Sequence, residues 1–329
     1  MSYQLEQSPV IEEAPLMPKG SRYAGQPINV RARCSIAIRH LAEDRPLITE
    51  SDAHVTVDRF FHVGEYWTAV VPLNAVECVT GQMFNFSQAR TRRTANGVEV
   101  LKRKDGLPKR KMPFLNHVQS RFRLRKDQQV ALYPLGTLEF GEPVHRVRDI
   151  VCSFEAVGPN NVRFNVRDAI AGHLVSAHRF MSTEEMVFER IVVEGKLLTE
   201  SAPLPLNEEQ RRAVLVASLL RSHEAGMSQR YFLFRPFGTN NCTSNPFHIL
   251  DRIMPYTRLQ RFWTFFHRLP VHPRLYLRLR GLDADPSHRG IVHEEFADYI
   301  QHPETQARKR EYVRTRKVER AARSEVERS

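Results

Sequence analysis

Apolar positions along this chain follow two periods in turn. From Ile28, the run INVRARCSIAIRHL alternates apolar and polar residues, the period-two pattern of a half-buried strand. HVTVDRFFHV and YWTAVVPL continue it after turn-like breaks, with β-branched and aromatic residues dominating. VALYPLGTLEF, DIVCSFEAV and NVRFNV give further strand signals, and Gly158-Pro159-Asn160-Asn161 predicts a hairpin between the last two. After Met181 the pattern turns helical and mixed. Asn207 and Gln210 have capping-box spacing, and the helix they open carries Leu215, Val216, Leu219 and Leu220 toward a core until Gly226 ends it. YFLFRPF reads as a short strand. A turn over 238–241 follows, then the cap-type residues Thr243, Ser244 and Asn245, and Pro246 suits a first helical turn. Phe247, Ile249, Leu250 and Ile253 continue at helical spacing, so Cys242 is expected at a loop-to-helix junction. Phe262, Trp263, Phe265 and Phe266 read as one core-packing helix. The chain is expected to be α+β, an antiparallel sheet packed on helices, with no internal repeat.

Composition divides the 329 residues. Residues 1–27 are rich in Pro, Glu and Gly and read as an extended arm; 28–285 read as one domain; 286–329 read as a charged helical tail. A basic stretch at about 90–126 interrupts the domain. Arg103, Lys104, Lys109, Arg110 and Lys111 lie within it, either as a solvated insertion or as an anion-binding surface. The formal charge of +12 favours a polyanionic partner: nucleic acid, an anionic membrane surface or an acidic substrate. No P-loop, zinc-finger or RNA-recognition signature accompanies it, and aromatic residues do not interleave with the basic run as a stacking platform requires. The four cysteines form no CxxC pair, so neither a zinc site nor a disulfide scaffold is expected, and no cofactor. There is no basic-then-apolar leader and no apolar run of about 18 residues. A soluble, cytoplasmic protein is expected, with signal-less export left open.

Cys34, Cys78 and Cys152 lie in strand-like runs where an inert buried thiol is usual. Cys242 differs, because free N–H groups and the dipole at a helix start stabilise a thiolate. The same N–H groups suit an oxyanion hole, with Asn241 either donating its amide or only shaping the turn. The plainer alternative is a small buried residue anchoring that turn. A nucleophile also needs a base. His54 opens an alternating strand, His62 shares its parity eight residues on, and His40 ends the preceding strand; His248 is turned away from Cys242 on its helix.

Phe188-Glu189-Arg190, Lys196-Leu197-Leu198, Pro205-Leu206-Asn207-Glu208-Glu209-Gln210, Tyr231-Phe232-Leu233-Phe234 and Asn240-Asn241-Cys242-Thr243 follow one another in the order and spacing of a known family. Over roughly residues 186–255 the chain resembles the Lnb N-terminal periplasmic-type domain, DUF4105. That resemblance implies a circularly permuted papain-like fold of NlpC/P60 type, in which the histidine strand precedes the cysteine helix. It implies acyl transfer or hydrolysis through a thioester, on a peptide or lipid acyl substrate, with Cys242 as nucleophile and an upstream histidine, best matched by His54, as base. The family's periplasmic signal and its Gly-His pair have no obvious counterpart here. The alternative is a non-catalytic protein on the same fold that binds nucleic acid or anionic lipid.

Overall fold

The computed structural model describes residues 15–31, 33–39, 46–87, 89–94, 97–103, 108–111, 115–160, 162, 164–235, 239–264, 273–285, 287–288 and 290–326. Alternation becomes strand in β1 (Ala37–Ile38), β2 (His54–His62), β3 (Glu65–Pro72) and β4 (Val76–Asn85). A ribbon of β5 (Thr91–Thr94) and β6 (Gly97–Val100) comes next, then β7 (Asn116–Leu124), β8 (Val130–Pro134), β9 (His145–Val147) and β10 (Asp149–Val157). Helix α1 (Val166–Ala171) leads to β11 (Leu174–Ser182), α2 (Thr183–Val187) and a π-helical segment, Phe188–Val193. β12 (Thr199–Glu200), α3 (Glu208–Ala225), β13 (Arg230–Tyr231), α4 (Ser244–Ile253), α5 (Arg258–Trp263) and α6 (Pro273–Leu279) follow. The chain closes with β14 (Gly290–Ile291), α7 (Val292–Glu295), α8 (Ala297–Gln301) and α9 (Pro303–Val326).

The fold is mixed α+β. Among the described residues the large sheet runs β14-β12-β4-β7-β10-β11-β2-β3-β8-β9, with β1 on β2 and β13 on β11. The sheet is not wholly antiparallel as expected: β11 re-enters beside β2 running the same way, with Met181 opposite Phe61. Strand period two sorts residues between its faces. Val79, Phe122, Cys152, Phe154 and Phe180 face α3 and α4, and pack with Leu215, Leu219 and Phe247. Each such side chain contributes about 1.5–3 kcal/mol by leaving water. On the other face, Val151, Val175, Ala177 and Met181 meet Met186, Val187 and Ile191 of α2 and the π-helical segment. No described helix is long and apolar enough to cross a membrane.

Several expectations change. Of NVRFNV, Asn161 and Arg163 lie outside the described residues, and the rest gives no strand: Asn165 caps α1, and Gly172 closes that helix at φ 70° with the Phe232 ring standing where a Cβ would go. The hairpin partner of β10 is β11, whose nine residues are all buried, so polar positions along it alternate between two covered faces and give no amphipathic signal. The segment before β1 makes little ladder. Ile36 and Ile38 instead donate backbone N–H groups to the Ser222 hydroxyl and His223 Nδ1 of α3. Residues 15–27 are docked rather than free: Met17 is buried and Arg22 pairs with Asp168 at 2.9 Å. Phe262 is exposed, not core, while Phe265 and Phe266 lie outside the described residues. The tail is not helix throughout: β14 pairs with β12 at the sheet edge, Glu295 of α7 pairs with Arg121, and only then does α9 run out, docked by its first turns. Arg308 reaches the buried Glu185 at 2.7 Å and stacks 3.8 Å over Phe188. Capping of α3 by Asn207 and Gln210 is as expected.

Candidate functional site

Cys242 does stand at a helix start. The Asn241 side-chain oxygen accepts from the Thr243 and Ser244 N–H groups at 2.8 and 2.7 Å, which caps α4. Its amide donates to the Leu233 carbonyl at 2.9 Å, tying the turn to the segment after β13. Asn241 is therefore fully engaged as a positioning residue. It occupies two of the N–H groups at this helix start, those of Thr243 and Ser244.

The sulfur faces the end of β7, beyond Gln119, where the ladder to Ser153 of β10 stops. The Cys242 thiol donates to the Asn116 carbonyl at 3.6 Å, and the Tyr231 hydroxyl donates to the sulfur at 3.6 Å. Cys242 is 1% exposed. Burial pushes the thiol above its ordinary pKa; the Tyr231 hydroxyl and the Val118 N–H work the other way without reversing it. The buried Thr243 hydroxyl makes no hydrogen bond. In this arrangement the thiol is protonated and closed off from solvent.

The proposed bases lie elsewhere. His54 is exposed at the first residue of β2, and β10 and β11 stand between β2 and β7, so the fold does not pair it with Cys242. His62, at the far end of β2, bonds the Ser182 hydroxyl at 2.8 Å, and burial lowers its pKa to about 3. His40 lies outside the described residues. His117 is the next residue along the chain after Asn116, whose carbonyl accepts the thiol hydrogen bond. Its ring is turned to the opposite face of the sheet, where Nε2 meets the Ser153 hydroxyl at 2.8 Å. Burial lowers the His117 pKa to about 3.

That opposite face holds a buried polar network. Ser153 donates to Glu155, which accepts from Arg179 and Arg190, both at 2.8 Å, and pairs with Arg33 at 3.0 Å. Arg179 also binds Glu189, and Arg190 binds Glu194, both within the π-helical segment or just after it. The guanidinium groups around Glu155 hold its carboxyl well below the usual range despite its burial. Farther along β7, Arg121 is 2% exposed and pairs with Asp149, Glu200 and Glu295. A cleft of about 340 Å³ opens there between Arg121, Arg123, Glu200 and Glu295, away from Cys242.

No family model, curated protein or solved structure matches this chain. What stands is the mixed α+β architecture and the local geometry.

The basic stretch divides in two. Its later part is core strand: Arg121 and Arg123 sit in β7 inside ion pairs. The part between Asn85 and Asn116 leaves the sheet as the β5–β6 ribbon, which forms a sheet of its own. Its base is tied by bridges between Ala89 and Arg110 and between Lys102 and Pro108. Arg90, Arg92, Arg93, Lys102, Arg103, Lys109 and Lys111 are exposed, whereas Arg110 is half-buried with its guanidinium on the Ser87 carbonyl. Lys104 lies outside the described residues. Because Asn85 and Asn116 are opposite each other in the β4–β7 ladder, the ribbon rises from the same sheet end that holds Cys242.

Proposed function

We propose that this chain is a binding protein for a polyanion, held by the β5–β6 ribbon, with Cys242 serving a structural role in the turn before α4. The observation that carries this reading is the ribbon itself: exposed arginines and lysines on a two-stranded sheet separate from the core. Cations held on a fixed backbone bind phosphate or sulfate groups by counterion release, without a pocket. The closed thiol supports the same reading, since a nucleophile needs access and a stabilised anion. Heparin binding by titration calorimetry tests it. Affinity is expected to fall steeply as salt rises, to be unchanged in Cys242→Ala, and to be lost when Arg92, Arg93, Lys102 and Lys109 become alanine. Binding indifferent to those four substitutions sinks the proposal.

A second reading is the Cys–His enzyme on a permuted papain-like scaffold, acting on a peptide or lipid acyl group. It is favoured by the capped Cys242 at a helix start, the unpartnered Thr243 hydroxyl beside it, and the resemblance over residues 186–255. Under this reading Cys242 sulfur, after losing its proton, attacks the acyl carbon and displaces the amine or alcohol, which leaves with a proton; neither His54, with two strands between β2 and β7, nor His117, whose ring lies on the opposite face, reaches the sulfur as base in this arrangement. The buried arrangement must open for this. Iodoacetamide at pH 7 separates the readings. For a closed, protonated thiol, Cys242 is expected to label at least about tenfold more slowly than a free cysteine. Faster labelling than the free thiol favours the enzyme.

A further inference from the structure

We infer that the partner of the ribbon is double-stranded DNA, entered by β5–β6 along its major groove. This rests on the polyanion reading and adds the geometry of the partner. Arg92 and Arg93 are consecutive in β5, so they project to opposite faces of the ribbon. Arg92 lies opposite Glu99 and Arg93 opposite Val98 in the β6 register. The only described ion pair on the ribbon, Arg92 with Glu99 at 3.4 Å between exposed side chains, is too weak to withdraw Arg92 from a phosphate. Cationic side chains thus flank the ribbon on both faces. A flat anionic surface meets one face of a ribbon; a groove walled by two phosphate backbones meets both.

Dimensions agree. Two strands lie about 4.8 Å apart, and the B-form major groove, about 12 Å wide, admits a two-stranded ribbon. The corresponding groove of an RNA duplex is too deep and narrow for side chains to read. The described part of the ribbon carries no aromatic residue, which removes both the stacking platform of a single-strand binder and the interfacial anchor of a membrane binder. Arginine also matches phosphate in a bidentate manner.

The test is fluorescence anisotropy of the full chain with a labelled 20-base-pair DNA duplex across a salt series. A single-stranded 20-mer and vesicles containing anionic phospholipid serve as parallel probes. Duplex binding is expected to be strongest. Arg92→Ala and Arg93→Ala are each expected to weaken it about fivefold and to reduce the slope of log affinity against log salt by about 1. Circular dichroism of these surface variants checks that they remain folded. Loss confined to one of the two arginines, or equal or tighter binding to vesicles or single strands, overturns the duplex assignment while leaving the polyanion reading standing. Failure to bind heparin or any of these probes overturns both.

Discussion

Replacing Glu155 with alanine is expected to remove about 3–5 kcal/mol of stability, a large part of the margin a domain has. The reason is the company it keeps. Glu155 is buried and faces Arg179 and Arg190, both also buried, with Arg33 on its outer side. Taking away the carboxylate leaves guanidinium groups out of water beside each other, with only Glu189 and Glu194 to answer them. Breaking one partner of a buried cluster costs far more than the intact cluster contributes, because the remaining charge cannot be hydrated. Urea denaturation at pH 7.5 should show the midpoint fall by roughly 1–2 M with the slope preserved. Arg179→Met introduced into the same variant should recover part of the loss, since it removes one of the orphaned charges. A cost below about 1 kcal/mol for Glu155→Ala means the network is not paired as described.

The same network explains what could be read from the sequence and what could not. Positions where local signals agree with the fold were legible: the β2 and β3 alternation, the Asn207–Gln210 cap, and the Cys242 turn with Pro246 behind it. β7 was hidden because its arginines dominate the pattern. Phe122 and Leu124 carry one face, but Arg121 and Arg123 carry the other, and a charge run resembles a solvated loop when its carboxylates lie far along the chain. Asp149, Glu200 and Glu295 are nowhere near Arg121 in sequence. β11 was hidden for the same reason, with His178 and Arg179 buried within it. His117 was missed as a consequence, since a histidine in a presumed basic loop gives no reason to expect a ring buried against Ser153. Strand order then decided against His54: its alternating context was read correctly, but which strands separate β2 from β7 is a long-range property with no local signature. The ribbon was legible as charge and not as shape, because its separation from the sheet depends on β4 and β7 pairing beneath it.

Stability is expected to fall steeply between about pH 6.5 and pH 4, driven by histidines held neutral inside the fold. His62 and His117 are lowered to about 3 and His178 well below its usual value, in each case mainly by burial. None has a carboxylate as its direct hydrogen-bond partner: their ring nitrogens meet the hydroxyls of Ser182, Ser153 and Ser176. Above pH 6.5 these rings are neutral in folded and unfolded chains alike, and their native contacts contribute fully. Below it the unfolded chain takes up protons that the native state refuses, so stability falls as pH falls until the folded values near 3 are reached. Each ring contributes a slope of about 1.4 kcal/mol per pH unit, so three together approach ~4 kcal/mol per unit. Glu155 and Glu189, held low by their arginines, act in the same direction once pH drops below the ordinary carboxylate range. Glu185, raised by burial, opposes them. Urea midpoints at pH 7.5, 6.5 and 5.5 should be nearly equal between the first two and clearly lower at the third. His117→Gln, which keeps a hydrogen-bonding group for Ser153, should flatten the slope by about one proton. A stability that stays level from pH 7.5 down to 5 means these histidines reach water in the native state, and with them the polar face of β7 and β10.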